Sequence, residues 1–416
     1  MFIQRTIIPQ IIEHLDKKAF TIINGARQTG KTTVLKYLLK YIEYRGNKAW
    51  FISFEREDIL REINKNPENI FRFVERPKNP MHENQDKIFY LLIDEIQYAA
   101  NPSNFLKYLY DTYSPNLKII ATGSSSFYLD QKFKDSLSGR KRIFTLRTLS
   151  FEEFLLFKNQ QKLFDELVLI RELPDYISLQ NIQLMEQFED FITFGGYPEV
   201  AKTDNVEEKI NILNEIKNSY IKRDVLESRI DNEQKFYMLM QVLSLQTGNL
   251  LNKHELSKSL RIDIKTVDKY LYVLQKCFHI TLITPFYKNL KKELVKMPKV
   301  YFNDLGLRNL LCGNFNSPSI RLDKGSLLEN YVLIRLLEKY NYDEIKFWRT
   351  ADKNEVDFVV NPLLSPSFAL EIKFSLSNLR RNSYNQFIKT YPEIPLKFVS
   401  FTIDDETDGT ISSIKL

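Results

Sequence analysis

Short apolar runs alternate with helical patterns in the first third of the chain. The helical patterns lie at residues 31–45 and 103–113, and the apolar runs lie at 19–24, 49–54, 88–93 and 117–122. Strands that alternate with helices are typical of a parallel sheet covered by helices on both faces. Residues 1–150 are therefore predicted to form an α/β domain.

The pattern becomes helical after residue 150. Residues 151–245 are rich in Leu, Phe, Glu and Lys, and Ser150 followed by acids predicts the start of a helix. Residues 195–198, Gly-Gly-Tyr-Pro, predict a turn. We interpret this segment as a helical lid and connector.

Residues 246–310 have the spacing of a winged helix. Short helices are expected at 254–260 and 266–276, and strand-like runs follow at 280–287 and 299–303. A basic wing is predicted between the runs, which contains Lys288, Lys291, Lys292, Glu293 and Lys296. Lys265, Lys269 and Lys291 would contact the phosphates of a DNA duplex. A winged helix used for protein contacts or domain packing fits the pattern equally.

The last segment, residues 311–416, mixes a helix with strands. A helix that carries Glu329 is predicted at 325–339, and strands are predicted at 345–349, 355–360 and 368–374. The segment is therefore expected to be a second α/β domain.

Three residues of this last segment are candidates for a metal-dependent site. Alternation along the strand places Glu371 and Lys373 on one side, and Asp357 on a neighbouring strand would face them. Two carboxylates that share Mg²⁺ or Mn²⁺, with a lysine beside the attacking water, are suited to phosphodiester cleavage. A cross-strand salt-bridge network fits the same spacing.

Composition and charge narrow the classes of protein. The chain of 416 residues has 43% hydrophobic and 27% charged residues, which predicts a folded protein of two to three domains. Its apolar runs are too short to cross a bilayer, and its first residues do not form a signal peptide, so a soluble cytoplasmic protein is expected. The net charge of +6 permits a polyanionic partner without requiring one.

The first apolar run leads into a glycine-containing loop and then into a helix. The loop consists of Gly25, Ala26, Arg27, Gln28, Thr29, Gly30, Lys31, Thr32 and Thr33. Its backbone N–H groups and the helix N-terminus would bind the phosphates of ATP, with Lys31 at the β- and γ-phosphates. The Thr32 hydroxyl would be a ligand of Mg²⁺. An ordinary turn before a helix is the alternative.

Two later strands end in polar residues that would complete a hydrolytic site. Asp94 would hold Mg²⁺ through water, and Glu95 would act as the general base on the attacking water. Ser124 or Ser125 would sense the γ-phosphate, because ligands sit beyond the carboxyl ends of parallel strands. Solvated acids and a polar turn are the alternatives.

Arg140 lies in a basic stretch downstream of these strands. An arginine near the nucleotide would stabilise charge in the transition state, from the same chain or from a neighbour in a homo-oligomer. A solvated or anion-binding surface fits the same residues.

The motifs together resemble a known family. The chain is similar to the prokaryotic, archaeal-type P-loop ATPases related to AAA proteins, which carry a winged helix and a restriction-endonuclease-like C-terminal domain. The matching stretches are residues 25–33, 92–97, 121–125, 138–140, 149–154, 195–198, 298–302, 325–330, 355–358 and 371–373. Ala26 and Thr29 replace a proline and an aliphatic residue that the family often has, and neither side chain is needed to bind phosphate.

The resemblance implies a sheet of the additional-strand type with Glu95 as the catalytic acid-base. It also implies a nuclease core of the PD-(D/E)xK type over residues 311–416, with Asp357, Glu371 and Lys373 at the metal-site positions. Common descent does not guarantee activity.

Three functions remain open. The first is a DNA-associated ATPase with a working or relict nuclease, and the second is a nucleotide-driven switch that binds a protein partner. The third is an ATPase whose C-terminal domain binds DNA without cleaving it.

Overall fold

The structure is a computed structural model that describes residues 3–78, 88–124, 139–173, 176, 178–287, 296–377, 384–402 and 409–416. The chain divides into two units. The first comprises Met1–Arg147 with Lys276–Phe278, and the second comprises Thr148–Gln275 with His279–Leu416. The boundary predicted at residue 150 lies close to this division. The boundaries predicted at 245 and 310 fall inside the second unit.

The first unit contains a sheet of five parallel strands. These are β1 (Phe20–Asn24), β2 (Lys48–Ser53), β3 (Phe89–Asp94), β4 (Leu117–Gly123) and β5 (Lys141–Thr145). Their order is β2-β3-β4-β1-β5, and each neighbouring pair is parallel. Because β4 lies between β1 and β3, the sheet has the additional-strand order that the resemblance implies.

Both faces of this sheet are buried against helices. The helices are α1 (Ile8–Leu15), α2 (Lys31–Tyr44), α3 (Glu57–Lys65) and α4 (Pro102–Tyr113). Ile22 of β1 packs in one cluster with Leu106 of α4, whereas the next residue, Ile23, packs in another with Leu35 of α2. Neighbouring residues therefore serve opposite faces, as expected of a parallel sheet covered on both sides. The predicted α/β fold of this region is confirmed.

The sequence pattern missed the edge strand β5. Lys141, Arg142 and Ile143 are wholly or partly exposed, and only Phe144 within the strand is buried. An edge strand of this kind lacks the apolar run by which the four other strands were recognised. Helices α1 and α3 were also missed.

The second unit begins with a series of helices. They are α5 (Phe151–Phe157), α6 (Gln161–Glu172), α7 (Asn181–Phe194), α8 (Pro198–Lys202), α9 (Val206–Glu215), α10 (Lys222–Glu227) and α11 (Glu233–Leu245). The predicted start of α5 is a capping box. The Ser150 hydroxyl accepts a hydrogen bond from the Glu153 N–H, and the Glu153 carboxylate accepts one from the Ser150 N–H. The helical middle is thereby confirmed.

Two short helices and a hairpin follow. These elements are α12 (Lys253–Leu260), α13 (Ile264–Lys276), β6 (Ile280–Ile283) and β7 (Lys299–Phe302), and β6 pairs antiparallel with β7. Arg261 adopts a left-handed conformation (φ 52°) that turns the chain between the helices. Strand β6 is shorter than predicted, and residues 288–295 lie outside the described part of the chain.

A second sheet, of mixed direction, forms the rest of the unit. Its strands are β8 (Ile345–Arg349), β9 (Glu355–Val360), β10 (Phe368–Lys373), β11 (Leu396–Ser400) and β12 (Thr410–Ser412), and its helices are α14 (Leu305–Cys312), α15 (Lys324–Lys339) and α16 (Asn385–Thr390). Strands β8, β9 and β10 are antiparallel, and β10, β11 and β12 are parallel. The sequence pattern predicted α15 and the first three strands.

Contacts distant in sequence hold the second unit together. The Arg171 guanidinium in α6 donates to the Ile414 carbonyl at 2.6 Å, and Arg335 in α15 forms an ion pair with Glu152 at 2.8 Å. Both contacts join the helical start of the unit to its last third.

The Gly-Gly-Tyr-Pro turn lies between α7 and α8 and touches a buried acid. The Asp304 carboxylate accepts hydrogen bonds from the N–H groups of Gly196 and Leu307, at 2.8 and 2.9 Å. A Cβ on Gly195 would lie 2.4 Å from this carboxylate, and one on Gly196 would lie 2.5 Å from the Leu149 carbonyl. Glycine is required at both positions because the facing groups approach too closely for any side chain.

Candidate functional site

The predicted phosphate loop connects β1 to α2. Gly25 (φ 147°) and Gly30 (φ 95°) have backbone conformations that other residues rarely adopt. A Cβ on Gly25 would lie 2.0 Å from the Leu146 carbonyl oxygen, so the start of the loop is closed to any side chain. The loop thus leads from a buried strand into the N-terminus of a helix, which is the context that phosphate binding requires.

Lys31 lies on the inside of this loop and is buried. Its ammonium donates to the carbonyls of Gly25 at 3.0 Å and Ala26 at 2.7 Å. The Thr29 hydroxyl donates to the same Ala26 carbonyl at 2.9 Å, so the residue that departs from the family pattern makes a contact within the loop. Because the contacts of the ammonium include neutral carbonyls of the loop, phosphate oxygens can take those places.

The other loop residues differ in exposure. Arg27 is buried, Gln28 is half-buried, and Thr33 is exposed on α2. Arg5 was not foreseen as part of the site, yet its guanidinium donates to the Thr29 carbonyl at 2.7 Å and to the Arg147 carbonyl at 2.8 Å. This arginine ties the loop to the start and the end of the unit, and nothing in its local sequence indicated that contact.

A chain of hydrogen bonds joins the loop to the ends of β3 and β4. The Thr32 hydroxyl donates to Asp94 Oδ2 at 2.9 Å, and the Thr122 hydroxyl donates to Asp94 Oδ1 at 2.5 Å. The Thr122 hydroxyl also accepts from the Glu95 N–H at 3.0 Å. The structure therefore brings together Thr32, Asp94 and Glu95, which the sequence placed in one site. The Thr32 hydroxyl and the Asp94 carboxylate are neighbouring oxygen groups of the kind that Mg²⁺ prefers.

Gln97 is a member of this site that the sequence pattern missed. Its amide nitrogen donates to Glu95 Oε2 and, at 2.8 Å, to the Ser124 hydroxyl. Glu95 itself is in the left-handed region (φ 56°), a conformation that costs energy outside glycine. The amide thus connects the expected general base to the expected sensor serine. Ser125, the other sensor candidate, lies outside the described residues.

Arg140 lies at the amino ends of the strands, opposite the end at which the phosphate loop begins. Its carbonyl accepts from the Phe20 N–H at the amino end of β1, and the phosphate loop begins at the carboxyl end of that strand. A strand of this length spans about 13 Å. The guanidinium forms an ion pair with Asp111 at 3.2 Å and lies over the Tyr110 ring. This placement gives no support to action of Arg140 on the nucleotide of its own chain, and its role, in the same chain or on a neighbour's nucleotide, stays a prediction.

The C-terminal candidates meet on neighbouring strands. Leu370 pairs with Phe358 in the register of β9 and β10, which brings Asp357 next to Glu371. The Ile372 N–H donates to Asp357 Oδ2 at 2.8 Å. The Lys373 ammonium donates to Glu371 Oε1 at 2.6 Å, so these two side chains share one side of the strand.

Further groups complete this region, and the sequence pattern does not single out Lys299 and Glu355 among them. Its acids, the C-terminal carboxylate cluster, are Glu329 on α15, Glu355 and Asp357 on β9, and Glu371 on β10. The buried Lys299 ammonium lies 2.9 Å from Glu329, 2.5 Å from Glu355 and 3.7 Å from Asp357. These contacts join residues 30 or more positions apart, which local patterns do not reveal.

Burial shifts the proton affinities of the cluster. Burial, with a smaller effect from Asp357, raises the pKa of Glu371 to about 8. Burial also raises the pKa of Glu329 to about 7, against the opposing effect of Lys299. Burial alone would lower the pKa of Lys299, but Glu329 and the other neighbouring groups raise it well above its usual value. The ammonium is therefore a permanent positive charge within the cluster.

The metal ion expected between Asp357 and Glu371 stays a prediction, because several of their oxygens already have partners whereas Glu371 Oε2 is buried without a hydrogen-bond partner among the described residues. Glu371 Oε1 accepts hydrogen bonds from Lys373 and, at 2.8 Å, from the Tyr384 hydroxyl, and Asp357 contacts Lys299 and the Ile372 N–H. In the part of the chain that the structure describes, no group of three or more His, Cys, Asp or Glu side chains is arranged to hold a metal ion.

The predicted DNA contacts are only partly described. Lys265 is exposed on α13, and Lys296 is exposed before β7. The Lys269 ammonium instead donates to the Arg229 carbonyl at 2.7 Å and lies 3.8 Å from Asp231. Lys288, Lys291 and Lys292 lie outside the described residues.

Three family models match successive parts of the chain. Residues 17–155 match a model described as an AAA domain. Residues 185–318 and 324–410 match two different models, each described as a domain of unknown function. The chain thus carries an AAA-type P-loop domain followed by two domains whose roles are unknown.

Similar proteins occur in archaea and bacteria. An uncharacterized protein of Methanocaldococcus jannaschii is 26% identical, over 92% of this chain and 84% of that protein. An uncharacterized protein of Haemophilus influenzae is also 26% identical, over 86% of this chain and 84% of its own. The AMPPCP-bound DnaA of Aquifex aeolicus is 18% identical with a TM-score of 0.28, over 65% of this chain and 77% of that one, and a likeness of this size carries no functional argument.

Among the described residues, no helix is both long enough and apolar enough to span a membrane.

Proposed function

We propose that the first unit is a Mg²⁺-dependent ATPase. The main support is the hydrogen-bond chain from Thr32 through Asp94 and Thr122 to Glu95, which joins the phosphate loop to the Asp94 carboxylate and to the backbone N–H of Glu95. The match of residues 17–155 to an AAA domain supports it. Thr32 and Asp94 would hold Mg²⁺, which would neutralise charge on the phosphates.

The side chains of the site have separate tasks in this proposal. Lys31 binds the terminal phosphates by exchanging its carbonyl contacts for phosphate oxygens. Glu95 accepts a proton from the attacking water, and Gln97 holds the Glu95 carboxylate in position and links it to Ser124. Ser124 lies at the carboxyl end of β4, where a ligand of a parallel sheet is expected.

Two substitutions separate binding from turnover. Lys31→Ala should abolish ATP binding, and Glu95→Gln should retain binding while turnover falls by about 10²- to 10⁴-fold. ATP binding and phosphate release would be measured on both variants. Lys40→Ala, at an exposed site on the same helix as Lys31, and Glu13→Gln, at an exposed site on α1, are matched controls. Unchanged hydrolysis in Glu95→Gln would remove it as the general base.

We further propose that the ATPase acts together with a DNA-binding, nuclease-like second unit, in which cleavage is active or relict. The succession of α12, α13 and the β6–β7 hairpin supports a winged helix. The mixed sheet that places Asp357 beside Glu371 and Lys373 supports a restriction-endonuclease-like core. DNA binding through this unit should weaken steeply with salt, because it would depend on phosphate contacts.

Substitutions can test whether the helix pair and the wing account for the salt dependence of DNA binding. The exposed Lys265 can be replaced in Lys265→Glu, and the wing residues in a Lys291→Glu, Lys292→Glu double variant. Each is expected to reduce both the affinity for duplex DNA and the salt slope. Lys222→Glu, at an exposed position on α10, is the control for net charge. Equal binding by all variants would exclude this surface.

One observation favours the alternative, a nucleotide-driven switch that binds a protein partner. Two cations near α13 are engaged within the chain, since Lys269 bonds to the Arg229 carbonyl and Lys253 pairs with Asp268 at 2.6 Å. A helix whose neighbouring charges are already compensated is less suited to a phosphate backbone. Nucleotide-dependent protein binding in a chain that does not bind DNA would decide for this alternative.

A further inference from the structure

Lys299 is the first residue of β7 and is held in place by its backbone. It pairs with Ile283 of β6 on one side and bridges to Leu250 on the other. The side chain is only 2% exposed. Its ammonium is thus delivered to one fixed point, between α15 and β9.

Three acids of the C-terminal carboxylate cluster converge on this ammonium. The contacts to Glu329 and Glu355 are ion pairs of 2.9 and 2.5 Å, and the contact to Asp357 is 3.7 Å. Carboxylates at such separations repel one another unless a cation lies between them. In metal-dependent sites a divalent ion supplies that charge, and here a lysine supplies it.

The remaining oxygens of Glu355 and Asp357 are also engaged. Glu355 Oε2 forms an ion pair with Arg349, and Asp357 Oδ2 accepts a hydrogen bond from the Ile372 N–H. Glu329 Oε1, the oxygen that contacts the ammonium, also accepts a hydrogen bond from the Tyr301 hydroxyl at 2.5 Å. The chain backbone covers the cluster as well, because a Cβ on Gly248 would lie 3.0 Å from Glu329 Oε2. A metal ion would have to displace the ammonium in order to lie between these three carboxylates.

We propose that Lys299 is a built-in cation that takes the place of a divalent metal ion in the C-terminal carboxylate cluster and keeps it closed to metals. The β6–β7 hairpin, which carries Lys299, thereby keeps metal ions away from the carboxylates of the nuclease-like sheet. This inference rests on the nuclease-like role proposed above, because that role identifies the excluded ion as Mg²⁺ or Mn²⁺. Removal of the lysine charge is expected to create a site for one such ion.

The test is binding of Mn²⁺ to the full chain without nucleotide, followed by electron paramagnetic resonance. Wild type should have no site that depends on Asp357. Lys299→Met should bind Mn²⁺ at least roughly tenfold more tightly than wild type, and Lys299→Met with Asp357→Asn should lose that gain. Lys299→Arg, which keeps the positive charge, should resemble wild type. Asp94→Asn controls for metal at the phosphate loop, because Asp94 is a proposed ligand there.

The thermal midpoint gives a second readout, since an ion that binds only the folded state stabilises it. Mn²⁺ should raise the midpoint of Lys299→Met and not that of wild type. If Lys299→Met does not fold, Lys299→Gln replaces it, and the wild-type measurement remains decisive. Asp357-dependent Mn²⁺ binding by wild type would overturn the inference, as would a folded Lys299→Met that binds no better.

Plasmid cleavage measured on the same samples separates this inference from the nuclease-like role. A Lys299→Met protein that binds Mn²⁺ without cutting DNA supports the inference and argues against nuclease activity. Wild type that cuts DNA in an Asp357-dependent manner contradicts the inference and supports the nuclease.

Discussion

Two buried lysines have different surroundings in the two units. The Lys31 ammonium donates to the neutral carbonyls of Gly25 and Ala26, whereas the Lys299 ammonium lies against three carboxylates. A hydrogen bond to a neutral carbonyl can be exchanged for one to a phosphate oxygen without separating opposite charges. An ammonium among buried carboxylates cannot leave without exposing their charges to one another. The partners of a buried lysine therefore decide whether it binds a ligand or balances charge.

Removal of the Lys299 charge is expected to destabilise the second unit strongly. Lys299→Met leaves buried carboxylates without their cation and should lower the free energy of unfolding by about 3–5 kcal/mol. Urea unfolding followed by the fluorescence of the buried Trp348, in a Trp50→Phe background, reports on the second unit. The exposed Lys296→Met should change stability by no more than about 0.5 kcal/mol.

The same substitution at Lys31, Lys31→Met, should affect the use of ATP more than stability. Lys31→Met should reduce turnover of ATP by at least about 10²-fold, because a cation aimed at the phosphates is lost. Its unfolding midpoint should move less than that of Lys299→Met does. ATP titration and urea unfolding on the same preparation check both statements, with Lys40→Met as the control. A Lys31→Met protein that unfolds as easily as Lys299→Met would show that the two lysines contribute equally to stability.

Asp304 is a third buried ionisable group, and its partners are backbone N–H groups of Gly196 and Leu307. Burial raises the pKa of Asp304 from 3.8 to about 6, despite hydrogen bonds from Leu307 and Gly196. A raised pKa in the folded state means that the contribution to stability is complete below pH 3.8 and is lost as the pH rises through about 6. The loss is at most about 3 kcal/mol.

Asp304→Asn tests this pH dependence. The variant cannot titrate, so the stability difference between it and wild type should change between pH 4 and pH 6, in favour of the variant at the higher pH. Urea unfolding of both proteins across this range measures the difference. Two curves that stay parallel across the range would show that Asp304 has the same pKa in the folded and unfolded states.

The smallest effect is expected at Gln97. Gln97→Ala removes the amide between Glu95 and Ser124, and kcat should fall roughly tenfold while KM for ATP stays unchanged, since a misplacement of about 1 Å can cost up to 10²-fold. Steady-state phosphate release gives both constants. A rise in KM with unchanged kcat would instead place Gln97 in nucleotide binding.

The sequence was sufficient for features that depend on neighbouring residues. The loop between Gly25 and Lys31 needs two glycines and a following helix, all of which are local. The acids at the end of β3 follow from a buried run that stops at Asp94. The direction of the parallel strands then brings loop and acids to one edge of the sheet.

The sequence failed where a contact depends on residues far apart. Lys299 meets its acids only because β7 passes α15 and β9, and no local pattern describes that approach. The position of Arg140 could not be predicted, because the sequence pattern does not reveal strand β5. Arg140 comes just before β5, which runs parallel to β1. It therefore lies at the amino end of the strands, away from the phosphate loop.

The hydrogen bonds from Arg171 to the Ile414 carbonyl have a consequence for biosynthesis. Chains emerge from the ribosome N-terminus first, and domains fold as units while synthesis continues. Most of the first unit is complete once residue 147 has emerged. The second unit cannot make this contact until almost 270 further residues have followed. A nascent chain would therefore have an assembled phosphate loop well before Lys299 and its acids meet.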